Sequence, residues 1–151
     1  MNSSAKILYK EAQSIANDIP EFLNPNGPGK GNIITNNFMK TLKQRMSVLL
    51  NDDFSEKKIC DDNEFAVDYY FPSESTIVEI ALSIKKPNSE YEKDILKAVI
   101  AKENGLSVKR LIFISKEGAK KKCNQPARKR IKEWLNKNYD IQLEVWEFSA
   151  T

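Results

Sequence analysis

The chain contains no histidine. Ser-His-Asp and Cys-His catalysis, His-ligated zinc and histidine general bases are thereby excluded. Its two cysteines, Cys60 and Cys123, are far apart and match no metal-ligand spacing. They read as reduced thiols in a cytoplasmic protein, not as a disulfide framework. No apolar run approaches membrane-spanning length. Met1-Asn2-Ser3-Ser4 lacks the charged-then-apolar start of a signal peptide. Glycine is scarce, and three of the five fall within 24–32, Asn-Pro-Asn-Gly-Pro-Gly-Lys-Gly-Asn. Walker spacing is missing there and no strand precedes it, so a flexible surface loop is expected, not a nucleotide cradle.

With 151 residues, 40% hydrophobic and 30% charged, the composition suits one domain spanning 1–151 with a real core. An apolar stripe (Ile7, Leu8, Ala12, Ile15, Ala16) predicts a helix over 5–17, closed by Pro20. A second helix is expected over 33–50, with Ile34, Phe38, Leu42, Arg45 and Leu49 on one track and Thr35 or Asn36 as cap. Short strands are expected at 57–60, 65–71 and 76–84. Ser89 with Glu92 is a capping-box pattern opening a helix to Glu103, with Gly105 at its stop. Arg110 to Ser115 is a continuous apolar run, the mark of a strand covered on both faces. Pro126 fits the first turn of a last helix whose inner residues are Ile131, Trp134 and Leu135, and 141–148 alternates as a strand. This order predicts an α/β fold: a mixed central sheet, partly antiparallel and partly parallel, flanked by helices.

Two acids stand out inside the strands. Side chains alternate across a strand, so Asp68 points away from the face shared by Phe65, Val67, Tyr69 and Phe71. Glu79, with Ala81 and Ser83, points away from Val78, Ile80, Leu82 and Ile84. Acidic residues are disfavoured in strand interiors. Were the two strands paired as a hairpin around Pro72-Ser73-Glu74-Ser75, the two carboxylates would stand side by side, within about 6 Å, the minimum equipment for a hard cation such as Mg²⁺.

Net charge is only +3, but it is uneven. Between Lys116 and Lys132 lie Lys116, Lys120, Lys121, Lys122, Arg128, Lys129, Arg130 and Lys132, against one acid, Glu117. Such a block attracts polyanions, although a solvated helix face has the same composition.

The strand order and acid placement, from Ile33 to Ser115, resemble the restriction-endonuclease-like nucleases, whose signature is written PD-(D/E)XK. Asp68 matches the first acid, and Glu79-Ile80-Ala81 stands where Glu-x-Lys belongs. Ala81 replaces the lysine. The segment Glu79 to Glu103 is most similar to type II restriction enzymes of the Bgl type, some of which also lack that lysine. The resemblance implies a restriction-endonuclease-like core and a DNA phosphodiesterase. Asp68, Glu79 and the Ile80 carbonyl would hold Mg²⁺ or Mn²⁺, and a lysine would assist an attacking water. With Ala81 in the motif position, Lys93 or Lys97 on the following helix is the expected substitute. Lys85 is too distant along a straight strand, and Asn37 and Gln44 are further polar candidates. The basic block would contact phosphate, and duplex cutting would call for a homodimer. Two other readings stay open: a catalytically impaired nuclease fold that binds DNA or protein, and a small α/β protein with no nucleic-acid role.

Overall fold

The computed structural model describes residues 3–19, 21–22, 30–59, 65–84 and 89–149, with Lys30 and Gly31 described by their backbone alone. The chain divides into two compact units, Met1–Asp53 and Phe54–Ala150.

The first unit is a helix pair. Helix α1 (Ser4–Asp18) starts where the Ser3 hydroxyl accepts the Lys6 N–H at 3.2 Å, satisfying one of the donors orphaned at a helix start. It buries Ala5, Leu8, Ala12 and Ile15, four positions of one 3.6-residue stripe. Helix α2 (Lys30–Leu49) begins three residues earlier than expected, so neither Thr35 nor Asn36 caps it and 30–32 is helical. The rest of the expected loop, 24–29, and Pro20 lie outside the described residues. Phe38, Leu42 and Met46 form the buried stripe of α2, and Leu49, expected to share it, is exposed. The Phe22 and Phe38 rings pack 4.4 Å apart. Asn37 and Gln44 are exposed.

The second unit is α/β: a five-stranded mixed sheet with helices packed on it. Strands β1 (Ser55–Lys58), β2 (Ala66–Phe71), β3 (Thr76–Ile80), β4 (Arg110–Ser115) and β5 (Gln142–Glu147) lie side by side in chain order. The β1–β2 and β2–β3 pairs are antiparallel; β3–β4 and β4–β5 are parallel. Parallel neighbours need long crossovers, and these are helix α3 (Glu90–Glu103) and then helices α4 (Ala119–Cys123) and α5 (Pro126–Tyr139). Their apolar faces share one core with Tyr70, Ile77, Ala81, Leu111, Phe113 and Leu143 of the sheet. In β4, Leu111 to Ser115 are all buried, as the unbroken apolar run implies. Gly105 sits at φ +97° after α3, where a side chain would be strained.

Several expectations need correction. Strand β1 lies two residues earlier than expected, with Cys60 and 61–63 outside the described residues. Strand β3 ends at Ile80, not Ile84. Beyond it the main chain finds other partners: the Ser115 hydroxyl donates to the Ala81 carbonyl, the Ile84 N–H returns to that same carbonyl, and Arg128 donates to the Ile84 carbonyl. Ser89 is the N-cap of α3, but its backbone (φ −93°, ψ 8°) is not the extended form in which a cap hydroxyl reaches back, and it makes no capping bond. Trp134 is 46% exposed, while Arg128 and Leu135 are buried. The inner stripe of α5 runs 128, 131, 135, one helical phase away from 134. Helix α4 was not expected; the Glu147 carboxylate at the end of β5 accepts its Gly118 and Lys120 N–H groups at 3.0 and 2.9 Å.

Candidate active site

The β2–β3 register pairs Phe71 with Thr76, Tyr70 with Ile77 and Tyr69 with Val78. One step further, Asp68 stands opposite Glu79. There the main-chain ladder gives way to side chains. The Asp68 N–H donates to Glu79 Oε1 at 2.6 Å, and the Ile80 N–H donates to Asp68 Oδ2 at 2.8 Å. Each carboxylate therefore accepts a main-chain N–H of the facing strand. Both acids project to the face that carries Tyr70, Ile77 and Ala81, the face covered by α3.

Helix α3 completes the cluster. Lys97 Nζ lies 3.8 Å from Glu79 Oε2 and 3.6 Å from Asp94 Oδ1. Asp94 also lies close enough to Glu79 for its charge to raise the Glu79 carboxyl. The side chains of Glu79, Asp94 and Lys97 are 4%, 8% and 14% exposed, so water screens them poorly. Three carboxylates and one ammonium leave negative charge uncompensated.

The titration of these groups reflects that. Burial first, and the charge of Asp94 as well, lift the Asp68 carboxyl from 3.8 to about 6, against the pull of the Ile80 N–H and Lys97. Glu79 is held well above its ordinary 4.5, chiefly by burial and then by Asp68 and Asp94. Glu90, in the first turn of α3, is raised by burial and by Asp94. Carboxyls crowded in a poorly solvated site resist ionisation together.

The expected residues fare differently. Asp68 and Glu79 share one sheet face; the Glu79 carboxylate accepts the Asp68 N–H and the Asp68 carboxylate accepts the Ile80 N–H. Ile80, proposed as a carbonyl ligand, follows directly, half-buried. Lys97 reaches Glu79 and Asp94; Lys93, one turn earlier on α3, is exposed. Lys85 lies outside the described residues. Ala81 is fully buried in the core under α3. Of the basic block, Lys120, Lys121, Lys129 and Arg130 are exposed on α4 and α5, and Lys116, Lys122 and Lys132 half-buried. Arg128 is a correction. It is 8% exposed, donates to the Ile84 carbonyl and stacks 4.9 Å from the centre of the Tyr91 ring, so it holds the fold and is not offered to a polyanion. Cys123 is buried, and burial raises its thiol, which makes it a poor nucleophile.

Asp94 was missed in the sequence. Its signal was the Asp94–Lys97 spacing, which puts both on one helix face, but nothing in the chain before folding says that this face overlies Glu79.

The donors present suit a hard cation. Carboxylate oxygens and a main-chain carbonyl are the ligands Mg²⁺ takes, and it is held by one or two carboxylates plus waters and substrate phosphate, not by an all-protein cage. Among the described residues, no group of three or more His, Cys, Asp or Glu side chains is disposed to hold a metal ion. Among them, too, no helix is long and apolar enough to cross a membrane. No family model, curated protein or solved structure matches the chain.

Proposed function

We propose that this chain is a Mg²⁺- or Mn²⁺-dependent nuclease that hydrolyses DNA phosphodiester bonds on a restriction-endonuclease-like core. The observation that carries the reading is the opposition of Asp68 and Glu79 across the β2–β3 hairpin, with Lys97 3.8 Å from Glu79. Two acids that resist ionisation and face each other gain most from a divalent cation between them. Asp68, Glu79 and the Ile80 carbonyl are the groups that would hold it. When bound, such a cation neutralises charge at a scissile phosphate and acidifies a water.

The chain's own residues supply the rest. The hairpin fixes both carboxylates on adjacent rigid strands, so their separation does not depend on loop motion. Lys97 places a positive charge beside Glu79, on the side where the motif lysine would otherwise stand. The exposed lysines of α4 and α5 offer sequence-independent attraction to phosphate. Cutting both strands of a duplex with one such site per chain calls for two copies.

The reading is tested by cleavage of plasmid and branched DNA with Mg²⁺ and with Mn²⁺, against Asp68→Asn as control. Divalent-dependent nicking that Asp68→Asn abolishes supports it. The second reading, a nuclease fold that binds DNA without cutting, is favoured by one observation: Asp68 and Glu79 already accept hydrogen bonds from main-chain N–H groups, with Ala81 in the lysine position. Retained DNA binding with no cleavage under any divalent cation would select it.

A further inference from the structure

We propose that Asp94 is a positioning residue: it holds the Lys97 ammonium over Glu79, and this pair on α3 supplies the cation that the strand itself cannot. The claim about what the cation does rests on the nuclease reading above; the claim that Asp94 holds it does not.

The strand cannot supply the cation because of where position 81 falls. Strand β3 ends at Ile80, the Ala81 N–H is bound to the Ile114 carbonyl at 2.9 Å, and the Ala81 side chain is 0% exposed in the core. A lysine there would need its ammonium buried among apolar side chains or its stem threaded out through them.

The helix can supply it, at one position only. Lys93 and Lys97 are a turn apart on α3, yet Lys93 is exposed and Lys97 is 14% exposed. A lysine ordinarily extends its stem and keeps its head in water. Lys97 instead turns inward, and Asp94, three residues before it on the same helix face, is the group that meets it, at 3.6 Å. Asp94 is itself 6% exposed, and the ammonium it meets lies 3.8 Å from Glu79. Asp94 therefore fixes a flexible side chain in one place, beside the strand acid. The alternative is that Asp94 ligates a metal in its own right. The Lys97 ammonium at 3.6 Å already accounts for an aspartate buried here without one.

Two readouts test this. The first is amine acylation of the folded, metal-free protein with acetic anhydride, followed residue by residue by mass spectrometry, with Lys93 as internal reference. Lys97 should react far more slowly than Lys93 in the wild type, gain several-fold in Asp94→Asn, and slow again in Asp94→Glu. An unchanged Lys97 rate in Asp94→Asn overturns the proposal. Asp94→Glu also serves if the asparagine variant does not fold. The second is cleavage. Lys97→Ala should lower kcat by roughly 10²–10³-fold, as loss of one charge-stabilising donor does, with KM little changed. Asp94→Asn should do the same, and the double variant should be no slower than Lys97→Ala alone. Losses that multiply would mean that Asp94 acts independently of Lys97, and would overturn the proposal. If the wild type cuts no DNA, the nuclease reading fails, and the acylation result still decides whether Asp94 holds Lys97.

Discussion

Asp68→Asn should make this protein more stable at neutral pH while abolishing the cleavage proposed for it. The amide oxygen of the substituted side chain can still accept the Ile80 N–H that Asp68 accepts at 2.8 Å, so the substitution removes charge and little else. In the folded chain burial raises Asp68 from 3.8 to about 6. A raised acid stabilises the fold fully only below its unfolded value, and that contribution is lost as pH climbs through the folded value. At about 1.4 kcal/mol per pH unit, the interval of 2.2 (6 less 3.8) comes to about 3 kcal/mol. The carboxyl is partly open to solvent, which trims this to about 2 kcal/mol. Glu79, relieved of one neighbouring charge, adds in the same direction.

Urea denaturation in EDTA at pH 4, 6 and 8 measures this. Wild type and Asp68→Asn should have nearly equal stability at pH 4, with the gap opening through pH 6 and levelling off by pH 8. A gap of about 2 kcal/mol corresponds to roughly 4–8 °C in Tm for a chain of this size. Mg²⁺ at about 100 times its Kd should return roughly 2.7 kcal/mol to the wild type and nothing to the variant. An Asp68→Asn protein less stable than wild type at pH 8, or a gap that does not change with pH, would refute the reasoning. Either result would mean that the folded chain already compensates the Asp68 charge and has no need of a cation there.

Ala81→Lys, which would complete the Glu-x-Lys pattern that the sequence resembles, should destabilise the fold by about 1–3 kcal/mol through overpacking and should not raise any cleavage rate; thermal melts beside the nicking assay check both. Arg128→Ala should cost roughly 2–4 kcal/mol, because it orphans the buried Ile84 carbonyl and strips the cation from the Tyr91 ring, and urea midpoints measure it. Changing Lys120, Lys121 and Lys122 together to Glu should weaken DNA binding for every sequence and flatten its salt dependence, with the melting temperature nearly unchanged, as fluorescence anisotropy against salt will show.

What could be read in the sequence was local. Alternation alone put Asp68 and Glu79 on the side of their strands away from Tyr69 and Val78. Pro126 and Gly105 marked a helix start and a helix stop through their own backbone preferences, and the apolar run of β4 announced burial on both faces. What could not be read depended on partners remote in the chain. The end of β3 is set by Ser115 and Arg128, 34 and 44 residues from the carbonyls they take. The residues 81–84 look no less strand-like than 76–80. Helix α4 is begun by Glu147, 27 residues beyond Lys120. Arg128 sits in a run of cations whose composition says solvent, and only the phase of α5 against the sheet turns it inward.

The same remoteness accounts for the site. A central strand with an antiparallel neighbour on one side and a parallel one on the other has no room for a long cation on its covered face, because that face is core from Ile77 to Ala81 except where Glu79 interrupts it. The parallel pairing of β3 with β4 demands a crossover, and α3 is that crossover. It must lie over the face on which Glu79 stands. A lysine on its inner side, anchored by an aspartate three residues earlier, therefore reaches the acid from above while the strand beneath stays apolar. The cation's place on the helix is thus a consequence of the sheet topology. Alanine at position 81 therefore does not leave the face around Glu79 without a positive charge.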